Sequence, residues 1–144
     1  MRVIVLVENT SISKDYKSKH GLCLYIETKK HKLLFDLGSN SLFLENAVKL
    51  GVNITDIDSV IISHGHNDHG GALKYFLENN AKANIYISRY AFEEYYANFL
   101  GMKWNVGLDR KLKDHPRIIL IEDEYVIDEE LQIFSNIEEH LYLP

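Results

Sequence analysis

The sequence predicts an α/β fold in which helices flank a mixed sheet, and three observations lead to this prediction. Short runs of apolar, mostly β-branched residues recur along the chain, as in strands that are buried on both faces. Segments with the apolar spacing of an amphipathic helix lie between several of these runs. The length of 144 residues allows one sizeable apolar core, so residues 1–144 are expected to form a single domain.

The first three predicted strands lie near the N-terminus. Residues 1–7 are largely apolar and favour a buried strand, and the polar residues 8–20 that follow favour a loop. Residues 22–28 and 32–36 form two further apolar runs. The short Lys29-Lys30-His31 connection predicts a hairpin between them, with His31 exposed at its tip in a structural role.

Two helices and a strand are predicted next. Ser41 is a suitable N-cap for a helix over residues 42–50, which has a broad apolar face and ends at Gly51. Residues 59–62 predict a strand, and a second helix is expected at 72–78.

The C-terminal half shows weaker patterns. Further strands are expected at residues 84–87, 117–121 and 131–134. Ser88 can cap a helix that ends at Gly101, and its aromatic stripe is interpreted as core: Phe92, Tyr95, Tyr96, Phe99 and Leu100. Residues 102–116 lack periodicity and are interpreted as an active-site flap or a mobile connection.

Composition and charge exclude several function classes. The formal net charge of −5 and the scattered basic residues argue against nucleic acid as a partner. The single cysteine, Cys23, rules out an internal disulfide and is interpreted as a small buried apolar residue in a reducing compartment. No apolar stretch is long enough to span a membrane, and the run at residues 3–7 is too short for a signal-peptide core. The expected location is therefore the cytoplasm.

The most specific feature is the segment at residues 63–71, Ser-His-Gly-His-Asn-Asp-His-Gly-Gly, which places three imidazoles and a carboxylate within six positions. This density of nitrogen and oxygen ligands indicates a metal site, although a turn with surface histidines is the alternative. If the backbone stays extended, His64, His66 and Asp68 share one side and His69 projects from a neighbouring direction, which can serve two adjacent ions. Zinc suits these ligands, with iron or manganese as alternatives.

The strand, the His-x-His-x-Asp-His motif and the upstream Leu-Leu-Phe-Asp-Leu-Gly at residues 33–38 together resemble the metallo-β-lactamase superfamily of metallohydrolases. Within it, the chain is similar to proteins of the dihydropterin ribofuranosylaminobenzene phosphate synthase-like branch. The similar motifs cover residues 5–10, 20–22, 42–47 and 63–73. The resemblance extends from residue 1 to about Ile87 and implies an α/β/β/α sandwich.

The resemblance also implies roles for individual residues. His64 and His66 would hold one ion, and Asp68 and His69 a second. Asp36 matches a strand-end aspartate that supports the ligand loop through hydrogen bonds, although it can also be a turn-former before Gly38. The implied activity is hydrolysis of an ester, lactone, thioester or phosphoester bond in a small-molecule substrate by metal-activated water, which Asp68 can also hold as a catalytic residue.

The chain departs from the family in its extent. Family members build the sandwich from two similar halves, and the second half brings a histidine in a Gly-Cys-x-His-x-Gly segment that is not matched here. His115 and His140 lack that setting and are interpreted as exposed residues. The chain therefore resembles the first half of the fold, as a fragment or a natural short form, with two protein ligands per ion where a catalytic zinc usually has three.

Two other functions stay open at this point. One is a non-catalytic half-domain that binds metal weakly or needs a partner chain. The other is an iron-dependent oxidoreductase of the same superfamily, but diiron members tend to replace the second histidine by glutamate, so His66 counts against that version. The nearly continuous apolar strands also suggest that one sheet face needs a cover, which favours a homodimer or a C-terminal half.

Overall fold

The fold is described here from a computed structural model, which covers residues 1–10, 17–93, 96–99 and 101–135. Its strands are β1 (Arg2–Val7), β2 (Cys23–Glu27), β3 (Lys32–Phe35), β4 (Ser59–Ile62), β5 (Asn84–Ser88), β6 (Tyr96–Phe99), β7 (Met102–Asn105), β8 (Ile118–Ile121), β9 (Glu124–Val126) and β10 (Gln132–Phe134). Its α-helices are α1 (Leu42–Leu50), α2 (Asn67–Gly70) and α3 (Leu73–Asn79). Short 3-10 helices cover Ile54–Asp56 and Arg110–Asp114.

A six-stranded mixed sheet with the order β1-β2-β3-β4-β5-β8 organises the domain. The first three strands are antiparallel neighbours, and the predicted β2–β3 hairpin, with its short connection, is present. The remaining pairs are parallel, and helices make the crossovers from β3 to β4 and from β4 to β5. The carboxyl ends of β3, β4 and β5 therefore meet at one edge of the sheet.

Helix α1 follows the apolar spacing of its sequence. Its inward residues Phe43 and Ala47 are fully buried, whereas Val48 on the outer side is 82% exposed. Gly51 ends the helix in a left-handed conformation at φ +73°, and its N–H donates to the carbonyl oxygens of Ala47 and Val48. At the other end, the predicted cap Ser41 makes no side-chain hydrogen bond to the helix, and the Leu42 N–H donates to Asn40 Oδ1 instead.

The two faces of the sheet are covered differently. Helices α1 and α3 bury one face, and the lone cysteine, Cys23, lies in this core as predicted. The β9–β10 hairpin lies over part of the second face, where the rings of Tyr86 and Tyr125 are 5.2 Å apart between centroids. Val3 and Val5 on β1 stay 50% and 44% exposed. The second face is therefore covered near β5 and β8 and open near β1.

The region after β5 differs from the sequence prediction. A helix ending at Gly101 was expected, but β6 pairs antiparallel with β7, and Gly101 lies in the turn between them at φ +75°. The prediction failed because a glycine after an aromatic run marks a hairpin turn as well as a helix end. Phe92 is nevertheless buried in the core, as its place in the stripe suggested, while Tyr95 and Leu100 lie outside the described residues.

The prediction that His31 is exposed is wrong, since its side chain is 11% exposed. Its Nδ1 lies 3.1 Å from Asp58 Oδ1 and its Nε2 lies 2.6 Å from Asp128 Oδ2. Burial alone lowers the pKa of His31, but the hydrogen bonds that the ring donates to the two carboxylates outweigh it, and the pKa is raised above 6.5. This imidazole joins the turn before β3 to the β9–β10 hairpin.

Within the described part of the chain, no helix combines the length and the apolar composition that a membrane crossing needs.

Candidate metal centre

The ligand segment leaves the carboxyl end of β4, whose four residues are all buried. The chain bends at His64 and Gly65, His66 is extended at φ −83° and ψ 144°, and α2 begins at Asn67. The extended conformation considered for the whole segment therefore ends before Asp68. This helical turn, rather than the strand period, determines which side chains meet.

Three of the four ligand candidates converge. The nearest ligand atoms of His64, Asp68 and His69 all lie within 4.8 Å of one another. His69 Nε2 is 3.6 Å from Asp68 Oδ2, and the His64 and His69 ring centroids are 4.2 Å apart. His66 is outside this three-residue group, but its ring centroid is 4.8 Å from that of His64. All four candidates thus lie at one edge of the sheet.

Asp36 is the buried anchor of this group. Its side chain is fully buried, and its carboxylate accepts hydrogen bonds from the Ser63 N–H at 2.7 Å and the Ser63 hydroxyl at 2.6 Å. The same carboxylate lies 2.7 Å from His69 Nδ1. An Nδ1–H that donates to Asp36 leaves the Nε2 lone pair of His69 available to a metal.

The backbone around Asp36 also joins β3 to the ligand segment. Its N–H donates to the Ile61 carbonyl at 2.8 Å, and the Leu37 N–H donates to the His69 carbonyl at 2.7 Å. Asp36 has a φ of +57°, in the left-handed region that aspartate and asparagine tolerate better than most residues. Asp36 therefore lies directly after the end of β3, as expected, and adopts a left-handed backbone conformation there.

The chemical environment of His64 favours a ligand role. Its Nδ1 is 2.8 Å from the Ser63 hydroxyl. Burial, followed by the neighbouring His69 and His66 imidazoles, lowers the pKa of His64 below 6.5. A lowered pKa keeps the ring neutral near pH 7, and the neutral ring is the form that binds metal.

A second loop approaches the ligand segment. The Leu22 N–H donates to the Asp68 carbonyl at 3.3 Å, and His20 Nε2 is 3.0 Å from Asp68 Oδ2. Gly21 has a φ of +136°, and a Cβ at this position would overlap the Asp68 carbonyl oxygen. The sequence alone assigns no role to His20, which belongs to the His-Gly-Leu motif at residues 20–22 of the resemblance. The His-Gly pair is the only local feature of the sequence that could have indicated this contact.

The segment after β7 borders the same region. The Asn67 N–H donates to the Val106 carbonyl at 2.7 Å, and His66 and Gly107 form an isolated antiparallel bridge. A cavity of about 310 Å³ lies here, lined by His20, His66, Asn67, Asp68 and Val106. A second cavity of about 390 Å³ lies beside it, lined by Glu8, Asn9, Thr10, His20, Gly21, Leu22, Asp68 and His69. Val106 and Gly107, within the segment 102–116 that is predicted to be an active-site flap or a mobile connection, therefore border the ligand segment.

With this geometry established, comparison with known proteins decides the family. Residues 19–142 match the family model of the metallo-β-lactamase superfamily. The chain belongs to the metallo-β-lactamase superfamily. It is 32% identical over 132 residues to the uncharacterized protein MJ0448 of Methanocaldococcus jannaschii, covering 88% of this chain and 50% of that protein.

A second relative belongs to the expected branch of the superfamily. The 7,8-dihydropterin-6-methyl-4-(beta-D-ribofuranosyl)-aminobenzene-5'-phosphate synthase of the same organism is 33% identical over 79 residues, covering 51% of this chain and 27% of that protein. The chain spans half or less of the length of the curated relatives it matches.

Solved structures confirm the metallo-β-lactamase fold class. Tm1679, described as a metal-dependent hydrolase of the β-lactamase superfamily, aligns with a TM-score of 0.69 at 26% identity, covering 92% of this chain and 46% of that one. A quorum-quenching N-acyl homoserine lactone lactonase aligns with a TM-score of 0.57 at 19% identity, over 78% of this chain and 49% of that one, and shows the fold alone. The mixed sheet with flanking helices is therefore the superfamily's architecture.

The donor set fits the divalent metal typical of this superfamily. Two imidazoles and a carboxylate form a common ligand set of hydrolytic zinc sites. The position of Asp36 supports the assignment, because metal-binding histidines usually donate their other ring N–H to a carboxylate or a carbonyl.

His115, considered as a further histidine candidate, is not brought to this site. His115 precedes β8, near the amino ends of the parallel strands, and its Nδ1 accepts from the Arg117 N–H at 3.2 Å. His140 lies outside the described residues. Cys23 is buried, and burial followed by the nearby Asp36 charge raises the pKa of its thiol, which suits the structural role predicted for it.

Proposed function

We propose that this chain forms the metal-binding part of a hydrolase that cleaves an ester, lactone, thioester or phosphoester bond in a small-molecule substrate. The observation that carries the proposal is the convergence of His64, Asp68 and His69, with donor atoms within 4.8 Å, over the buried carboxylate of Asp36. The similarity to Tm1679 supports it, since that protein is described as a metal-dependent hydrolase.

The proposed ligands are His64 and His66 for a first ion and Asp68 and His69 for a second. Zinc is the proposed metal, with iron or manganese as alternatives. When bound, the metal supplies Lewis-acid activation of water and polarises the oxygen of the scissile group. Asp36 holds the Nδ1 side of His69 so that Nε2 faces the donor group. Asp68 borders both cavities, which supports its proposed role of holding a water molecule beside the ligands.

We also propose that full activity requires a second copy of this chain or a C-terminal half, which would cover the open part of the sheet. The chain spans half or less of its curated relatives, and the second sheet face remains open at β1, where Val3 and Val5 are exposed. A second copy of this chain or a C-terminal half would cover these residues. Because two protein ligands per ion leave water and substrate poorly positioned, we expect weak turnover by the chain alone.

Metal analysis and activity assays test the proposal together. Wild type, His64→Ala and the remote control His115→Ala would be purified without added ions and then titrated with zinc by calorimetry. We expect His64→Ala to lose most of the affinity, because it removes one of the three converging ligands, and His115→Ala to keep it. Equal affinity in all three proteins would place the metal elsewhere.

The same preparations distinguish the alternative functions. Hydrolysis of phosphodiester, lactone and thioester substrates that is lost in His64→Ala would support the hydrolase. Iron as the metal found after purification, together with redox activity, would favour the oxidoreductase, and metal binding without any turnover would favour the non-catalytic half-domain.

A further inference from the structure

We propose that His20 is a further metal ligand, which forms a three-residue ligand set with Asp68 and His69. This inference rests on the proposed function, because it requires that the site bind a metal. It assigns a role to a side chain outside the His-x-His-x-Asp-His motif, supplied by the loop that precedes β2.

The distances between donor atoms support this assignment. Asp68 Oδ2 is 3.0 Å from His20 Nε2 and 3.6 Å from His69 Nε2. Two donors that bind one tetrahedral zinc ion at about 2.0–2.1 Å are separated by roughly 3.3–3.4 Å. The two distances lie on either side of this value, so Asp68 lies between two imidazole nitrogens. Among the described residues, His20 is outside the group of His64, Asp68 and His69 whose donor atoms lie within 4.8 Å of one another, so its exposed side chain would turn towards His69 to bind the same ion.

The backbone holds His20 at this place. The N–H of the next residue, Gly21, donates to Asn9 Oδ1 at 3.1 Å, and the Leu22 N–H donates to the Asp68 carbonyl. On the other side, the Lys19 N–H donates to the Glu8 carbonyl at 3.1 Å. Because the chain is anchored on both sides of His20, its closeness to Asp68 follows from the fold of the loop.

The exposure of His20 fits a ligand better than a structural residue. Its side chain is 78% exposed and borders both cavities beside Asp68. An ion pair with this exposure contributes little to stability. A third protein ligand, in contrast, would give the ion at Asp68 and His69 the three protein ligands that catalytic zinc sites usually have.

The experiment compares four proteins: wild type, His20→Ala, His20→Gln and the neighbouring control Lys19→Ala. Each is loaded with zinc, and bound metal per chain is measured after gel filtration together with the affinity by calorimetry. X-ray absorption at the zinc edge gives the mean number of imidazole ligands. We expect both His20 variants to bind zinc at least about tenfold more weakly and to show fewer imidazoles, while Lys19→Ala matches wild type.

The glutamine variant separates a ligand from a positioning residue. Glutamine keeps an N–H donor for Asp68 but is a poor zinc ligand, so wild-type affinity in His20→Gln would overturn the proposal, as would an unchanged imidazole count in His20→Ala. Zinc binding by wild type with no effect in either variant would refute the His20 assignment and leave the proposed function standing. No zinc binding by wild type would refute both. Thermal unfolding of the metal-free proteins checks that all four fold alike.

Discussion

The carboxylate of Asp36 lies 2.7 Å from Nδ1 of His69, although 33 positions separate the two residues in the chain. Because the same carboxylate accepts two hydrogen bonds from Ser63, it fixes both the strand that carries the ligands and the orientation of one ligand ring. The candidate metal centre therefore depends on a residue that is too deeply buried to touch a substrate.

Asp36→Asn tests this dependence. Asparagine tolerates the positive φ of this position, so the backbone is preserved, but the neutral amide is a weaker acceptor for Ser63 and His69. We expect zinc affinity to fall by about 10- to 100-fold, as for other residues that orient metal ligands. Calorimetric titration measures it, with the half-exposed Asp56→Asn as the control. Unchanged affinity in Asp36→Asn would show that His69 is oriented by other contacts.

Gly21→Ala tests the packing of the second loop on the ligand segment. The added Cβ would overlap the Asp68 carbonyl oxygen, at a φ of +136° that strains any L side chain. Gly51→Ala is the matched control, because its φ is +73° and nothing lies within 4 Å of the added Cβ. We expect the control to lose about 1–2 kcal/mol in the free energy of unfolding by urea, and Gly21→Ala to lose more. Equal losses would mean that the loop can move away from Asp68.

The pH dependence of stability tests the contacts of His31. Because its pKa is raised on folding, protonation stabilises the folded state, and this contribution is complete below pH 6.5 and declines as the pH rises through the folded pKa. We therefore expect His31→Gln to lose more free energy of unfolding relative to wild type at about pH 5.5 than at about pH 8.5. The exposed Lys29→Gln in the same turn controls for a general loss of positive charge. A loss that does not vary with pH would contradict the raised pKa.

Light scattering tests the open part of the second sheet face. If a second copy covers Val3 and Val5, a lysine at either position places a charge in the interface and should shift the chain towards the monomer. Val48→Lys, on the outer side of α1, should leave the mass unchanged. A wild-type chain that is monomeric at micromolar concentration and does not bind a hydrophobic dye would refute the homodimer.

Local patterns accounted for much of the first part of the fold. The β2–β3 hairpin and helix α1 were predictable because short connections and apolar spacing act between residues that are close in sequence. The β6–β7 hairpin was not, because Gly101 after an aromatic run fits both a helix end and a tight turn. The burial of His31 depends on Asp128, which lies 97 positions away, and no local signal reports such a contact.

The candidate site was predictable to a similar extent. The contiguous His-x-His-x-Asp-His motif indicated the ligand candidates, and the resemblance to a family indicated Asp36. Their arrangement depended on α2, which turns the chain after His66 and brings Asp68 and His69 towards His64. The approach of His20 required the tertiary packing of a separate loop, so its sequence position alone could not assign it a role.

Strand β4 lies between two groups of polar contacts, one at the residue before the strand and one at the residue after it. Asp58, before the strand, binds His31, and Ser63, after it, binds Asp36. Four strand residues span about 13 Å, which exceeds the range over which substitutions usually influence one another. Changes at His31 and at Asp36 should therefore be thermodynamically additive. Evolution, or a protein engineer, can thus adjust the stability of this domain at one end of β4 while leaving the candidate metal centre at the other end intact.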